Sequence, residues 1–256
     1  MAKTISVHSF RGGTGKSNST ANLASMLARR GFRVAVVDTD IQSPGVHVLF
    51  GLSEDRITHC LNDYLWGTCQ IEQAAYDVTS AIADADSKEP ATGQIFLVPA
   101  SLKSGAIGRV LKEGYDVGLL HDGFRRLIQQ LKLDYLFIDT HPGVNEETLL
   151  SIIISDLLIL VLRPDSQDFQ GTSVTIELAR RLEVANVLLI VNKIPPGMDR
   201  VQLKQKVESA YSAQVAAMLP LNNEIVNLAS SSIFAIKFPN HPFTRELELV
   251  AQALTE

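Results

Sequence analysis

The sequence predicts an α/β fold: a doubly wound, mostly parallel sheet of about seven or eight strands with helices on both faces, in a single domain over residues 1–256. Three observations predict it. Short apolar runs alternate with helical patterns nearly to the carboxyl end. Most runs are apolar throughout rather than at every second position, as expected of parallel strands covered on both faces. The first run feeds a glycine-rich loop, and a helical pattern follows at once.

Strands are expected at 4–9 (TISVHS), 33–38 (RVAVVD), 95–99 (IFLVP), 135–139 (YLFID), 157–162 (LLILVL), 187–192 (VLLIVN) and 214–219 (QVAAML). Between the first two, Ala21, Ala24, Leu27 and Ala28 share one helical face, and Gly31 stops the helix. A right-handed crossover packs that helix on the sheet and leaves the glycine loop at the carboxyl end of the first strand. Residues 84–93 (DADSKEPATG) are polar and turn-rich, a surface loop or hairpin.

The net charge of −5 argues against a constitutive electrostatic grip on DNA or anionic lipid, although a local basic patch stays open. Cys60 and Cys69 lie in a Leu- and Trp-rich stretch too close together for a disulfide framework, so free buried thiols in a reducing compartment are expected. The first apolar run is too short for a signal peptide, and no window approaches the ~20 apolar residues of a membrane span. A cytoplasmic protein is the expectation.

Residues 10–17 read FRGGTGKS. Gly12, Gly13 and Gly15 let the backbone approach an anion without a Cβ in the way. Their amides, with those of Thr14 and of Asn18 in the helix that opens at Ser17, form a phosphate cradle. Lys16 then reaches the β- and γ-phosphates, and the Ser17 hydroxyl ligates a metal. ATP with Mg2+ is the implied cofactor pair, in a P-loop NTPase. Phe10 breaks the strict G-x-x-x-x-G-K-S spacing, which asks for glycine there.

The loop resembles the deviant x-K-G-G-x-G-K-[ST] loop of the MinD/ParA ATPases, whose first position is loose. The resemblance puts Arg11 in the place of the family's signature lysine, which reaches across a nucleotide-sandwiched dimer to the partner's phosphates. Arginine keeps the charge and adds a planar fork suited to phosphate, though an Arg that merely faces solvent is the other reading. In VVDTDIQSPG (36–45), Asp38 and Asp40 match the family's switch I pattern. Asp40 then orients the attacking water and helps hold the metal's water shell, whereas Asp38 also reads as a strand-end cap. DYLFIDTHPG (134–143) resembles Walker B with switch II. It makes Asp139 the third metal residue beside Ser17 and Asp40, and Gly143 the pivot or γ-phosphate amide. His141 departs from the small or apolar residue usual there.

Asn192 matches the family's adenine-pairing Asn, and Pro220, Leu221 and Asn222 match the segment flanking the base. Position 195 is Pro, so the N-K-x-D guanine signature is absent. The resemblance implies an ATP-dependent homodimer, hydrolysis that is slow and partner-stimulated, and a protein activator or cargo. An ATP-driven switch that positions or partitions a cargo is one reading. A nucleotide-binding scaffold with little turnover is the other.

The tail at 243–256 puts Leu247, Val250, Ala251 and Leu254 on one face, but its acids outnumber the single Arg245. A core-docked helix fits better than a membrane anchor, which wants a basic polar face. Arg125/Arg126, Arg180/Arg181 and Lys204/Lys206 keep nucleic-acid binding open. Leu61, Tyr64, Leu65 and Trp66 form a stripe that suits either the core or a partner surface.

Overall fold

A computed structural model describes residues 2–83 and 92–255 of the chain. Its strands are β1 (Lys3–His8), β2 (Arg33–Asp38), β3 (Tyr76–Asp77), β4 (Gln94–Val98), β5 (Tyr135–Asp139), β6 (Leu157–Leu162), β7 (Val187–Ile194) and β8 (Gln214–Pro220). The helices are α1 (Lys16–Arg29), α2 (Val46–Leu49), α3 (Leu61–Leu65), α4 (Ser104–Glu113), α5 (Val117–Leu131) and α6 (Glu146–Ile153). They continue with α7 (Ser166–Arg181), α8 (Arg200–Tyr211), α9 (Asn223–Leu228), α10 (Phe234–Lys237) and α11 (Pro242–Ala253).

The strands form one sheet in the order β3-β4-β2-β5-β1-β6-β7-β8. Every pairing is parallel except β3 with β4. The continuously apolar runs are divided between two faces by the pleat. Val34 and Val36 enter a core with α1, α10 and α11, while Ala35 and Val37 enter one with α3 and α5. Leu158, Leu160 and Leu162 meet α7 and α8 further along that second face. Each fully buried large aliphatic side chain contributes about 1.5–3 kcal/mol, so both faces must be covered for the sheet to persist.

Among the termini of α1, α5 and α7, the caps explain where two helices start. Asp116 and Asp165 accept amide hydrogen bonds from the first turns of α5 and α7. Helix α1 starts at Lys16, one residue before the expected opening at Ser17, with Gly15 as a cap that has no side chain to offer. β1 ends at His8, so Ser9 belongs to the loop rather than to the strand. β7 runs two residues past Asn192, which was expected to close it. The antiparallel β3 was not foreseen as a strand. Residues 84–91 of the polar loop lie outside the described residues, and Thr92 Oγ1 donates to the Arg29 carbonyl at 3.3 Å.

β5 and β1 are neighbours, while the chain leaves β1 for β2 on one side and leaves β5 for β6 on the other. Their carboxyl ends form the crevice where open α/β sheets place ligands. The glycine loop, Asp139 and Asp38 all stand there.

Candidate nucleotide site

Gly13 and Gly15 have φ of 75° and 97°, in the left-handed region where a Cβ is penalised. A Cβ on Gly15 would lie 2.3 Å from Asn192 Nδ2, so glycine is required on packing grounds too. Ser9 Oγ donates to the Arg11 carbonyl at 2.8 Å and braces the turn. No side chain caps α1, which leaves its first amides for an anion. Phe10 lays its ring over Gly171 of α7: a Cβ built there would meet the ring at 2.0 Å.

Lys16 is buried, and its Nζ lies 3.0 Å from Asp139 Oδ1, without the alignment of a hydrogen bond. Thr14 Oγ1 is buried with no partner among the described residues. A buried ammonium and hydroxyl wanting acceptors at the head of a glycine loop fit a triphosphate, whose oxygens supply them. Asp139, fully buried, accepts from Ser17 Oγ at 2.6 Å and Thr20 Oγ1 at 2.9 Å. One hydroxyl and one carboxylate form a hard-oxygen pair that fits Mg2+, which keeps much of its own water shell. When bound, Mg2+ supplies charge neutralisation between the phosphates.

Asp38 faces Asp139 across the β2–β5 register. It accepts from the amides of Asp40 at 3.0 Å, Gly45 at 3.1 Å and Val46 at 3.4 Å, organising the switch I turn as a cap. Burial, then the Asp139 charge, pushes its carboxyl well above the ordinary range. Asp40 accepts on one oxygen, Oδ1, from Ser43 N at 3.1 Å, and the same oxygen lies 2.6 Å from His141 Nδ1. Asp40 therefore bonds to switch II and not to Ser17 or Asp139, the other two residues assigned to the metal. Gly143 has φ 89° and gives its amide to the Ser9 carbonyl at 3.1 Å. Its N–H is thus engaged by the glycine loop.

Gly15, Asn18, Asn192, Pro220, Leu221 and Asn222 line a cavity of about 160 Å³ beside the glycine loop. Asn192 Nδ2 donates to the Thr14 carbonyl at 2.7 Å and Asn192 Oδ1 accepts from Lys193 N at 2.8 Å. Asn222 caps α9 through its oxygen, while its buried Nδ2 has no described partner. Arg11 is not among the residues that line this cavity. Its Nη1 donates to Gln167 Oε1 and lies 3.8 Å from Asp168 and 4.0 Å from Asp165, at the start of α7.

The model of the CobQ/CobB/MinD/ParA nucleotide binding domain family matches residues 5–233. The chain belongs to this MinD/ParA family. An uncharacterized ATP-binding protein of Methanocaldococcus jannaschii is 27% identical over 257 residues, covering 99% of this chain and 88% of the relative. The septum site-determining protein MinD of Synechocystis is 28% identical over 209 residues, covering 81% of this chain and 70% of that protein. The Pyrococcus horikoshii MinD complexed with Mg-ADP superimposes with a TM-score of 0.80 at 20% identity, over 100% of this chain and 97% of the other. MinD from the Aquifex aeolicus MinC:MinD complex gives 0.79 at 20% identity, over 99% and 96%. The fold is that of a MinD/ParA P-loop protein.

Within this family member, sequence reasoning missed the distant partners of the loop. Lys193, whose Nζ donates to the Gly13 carbonyl at 2.7 Å, follows Asn192 directly and had that adjacency as its only signal. Ile225, Val226 and Phe243 complete the cavity wall; helical spacing alone does not say which cavity they line. Leu247, Val250, Ala251 and Leu254 are buried against the core, as the pattern of the tail implied, and Phe243 joins them. Leu61 and Leu65 are core, with Tyr64 and Trp66 packed on it, and both cysteines are buried and free. Of the basic pairs, Arg126 meets Glu72, Arg181 meets Glu177 and Lys204 meets Glu208. No helix among the described residues is long and apolar enough to cross a membrane.

Proposed function

We propose that this chain is an ATP hydrolase acting as an ATP-driven dimerisation switch, which positions or partitions a cargo and is stimulated by a protein partner. The observation that carries this reading is the meeting of Lys16, Ser17 and Asp139 at one end of the glycine loop. The Asn192–Asn222 cavity beside it, against Gly15 and Asn18, supports adenine as the base. Lys16 neutralises phosphate charge, Ser17 and Asp139 hold Mg2+, and Asp40 aligns the water that displaces ADP from the γ-phosphoryl group. The MinD of the neighbour with Mg-ADP and the MinD in the MinC complex support nucleotide use and a protein partner. A single cytoplasmic domain acting as a homodimer completes the reading. The scaffold alternative draws on one feature, the Arg11 side chain held on α7 of its own chain.

Calorimetry with Mg·ATP and Mg·GTP tests the base. ATP is expected to bind far more tightly, and Lys16→Ala to abolish binding; equal affinities overturn the adenine assignment. Phosphate release tests turnover, with Asp40→Ala expected to lose about 100-fold or more while still binding ATP. Wild type that binds ATP yet releases no phosphate, alone or dimerised, establishes the scaffold instead.

A further inference from the structure

The geometry points to His141 as the positioning residue for Asp40, a role that rests on the hydrolase reading. His141 Nδ1 stands 2.6 Å from Asp40 Oδ1. A carboxylate only accepts, so Nδ1 carries the hydrogen and donates it. Ser43 N donates to the same oxygen at 3.1 Å. Both contacts fall on Oδ1, and Oδ2 takes no hydrogen bond from any described residue. One oxygen is anchored and the other is left to receive a hydrogen bond from the attacking water.

The anchor is itself fixed. Thr140, one residue earlier, gives its amide and its hydroxyl to the Val7 carbonyl at 3.2 and 3.0 Å. His8 Nδ1 lies 2.7 Å from the Thr140 hydroxyl. On the other side, Thr148 Oγ1 of α6 donates to the His141 carbonyl at 3.3 Å, and Gly143 N is bound to the Ser9 carbonyl. The backbone carrying His141 is thus tied to β1, to the glycine loop and to α6, while its ring is mostly buried. A side chain on so determined a backbone can hold Asp40 in one rotamer. Switch I and switch II are joined through this pair. A small or apolar residue at position 141 would leave Asp40 Oδ1 with the Ser43 amide alone.

The test compares wild type with His141→Ala, His141→Asn and His141→Gln in steady-state phosphate release. Asn carries an N–H close to where Nδ1 sits, whereas Gln places its amide nearer the Nε2 position. His141→Ala is expected to lower kcat about 10- to 100-fold, the range for a hydrogen bond to a charged group, with KM for ATP unchanged. His141→Asn is expected to recover most of the loss and His141→Gln little of it. In the Asp40→Ala background, His141→Ala should cost nothing further. A second readout needs no turnover. In nucleotide-free protein labelled with 15N-histidine, the His141 proton should reside on Nδ1, and move toward Nε2 in Asp40→Ala. Wild-type kcat in His141→Ala overturns the inference, as do equal Asn and Gln variants, additive losses in the double variant, or a bare Nδ1 in wild type. If wild type releases no phosphate at all, the hydrolase reading fails and the positioning role falls with it. If wild type turns over and His141→Ala matches it, only the inference falls.

Discussion

His8 closes β1 fully buried, with Nδ1 on the Thr140 hydroxyl and Nε2 without a described partner. Burial first, and then the Lys16 charge, lowers its pKa to about 3, so the folded chain keeps the ring neutral. The unfolded chain takes up a proton near the ordinary 6.5. Between those values the unfolded state binds more protons. The His8 contribution to stability is therefore present above about pH 6.5 and is lost as the pH falls toward 3. His8→Asn keeps a polar partner for Thr140 and removes the titration. Denaturant unfolding from pH 7 to pH 4 should show wild type losing stability more steeply, by up to about 1.4 kcal/mol per pH unit. Parallel slopes for the two proteins would mean that His8 is hydrated or charged in the fold. The same residue shows what a linear reading omits: a histidine in an apolar strand is plain to see, but its partner lies 132 residues away.

At the scale of elements, the loop after β1 is wedged against α7 by Phe10. The ring occupies the space of the missing Gly171 side chain, with Cβ, Cγ and Cδ1 all within 2.8 Å of a Cβ built there. In an exposed helix interior Gly→Ala gains about 0.5–1 kcal/mol. Here the clash involves the base of a packed ring, and overpacking of that kind costs about 1–3 kcal/mol. Gly171→Ala should therefore lower the melting temperature, whereas Gly171→Ala in a Phe10→Gly background should raise it relative to Phe10→Gly alone. If Gly171→Ala stabilises both backgrounds, Phe10 moves freely and the wedge does not exist. Phe10 looks anomalous in the loop motif because its reason stands on another helix. The fold itself was far more legible. Seven of the eight strands carry apolar runs, continuous in most and alternating in β1, and such runs announce themselves wherever both faces are covered. The exception, Tyr76–Asp77, has two residues and one partner strand, too short for any periodicity. Helices α2, α9 and α10 are also short, at four, six and four residues, and their form is set by packing against α1 and the cavity rather than by local pattern. In the site, the motif residues were readable because their spacing is local. Asn192, Pro220, Leu221 and Asn222 were found through resemblance, and the structure gathers them into one cavity.

For the whole molecule the open matter is how two copies would meet, and Arg11 is the residue on which that turns. On its own chain the guanidinium is bound to Gln167 and set near Asp165 and Asp168, and it is 41% exposed. Exposed ion pairs of this length contribute about 0.2–1 kcal/mol, far less than a charge-assisted bidentate contact to phosphate in a dry interface. The hold on α7 is thus weak enough to be exchanged. Asp168 loses little by the exchange, because Arg163 already gives it a backbone amide at 2.9 Å and a guanidinium at 3.0 Å. If Arg11 leaves α7 to reach the partner's phosphates, ATP should convert monomer to dimer, and Asp40→Ala should trap that dimer by slowing hydrolysis. Arg11→Ala should then stay monomeric while binding ATP as wild type does, since Lys16 and the loop amides are intact. Arg11→Lys should dimerise with an altered turnover rate. Gln167→Ala removes a hydrogen bond that holds Arg11 in cis, and should raise the dimer fraction at limiting ATP by about 2- to 10-fold, the worth of one exposed hydrogen bond. Light scattering of the five proteins with ATP, with ADP and without nucleotide separates these outcomes. An Arg11→Ala protein that dimerises and hydrolyses like wild type would leave Arg11 as a tether between the glycine loop and α7. The contact with Gln167 would then be its whole function, and Gln167→Ala would destabilise the fold without moving the dimer equilibrium.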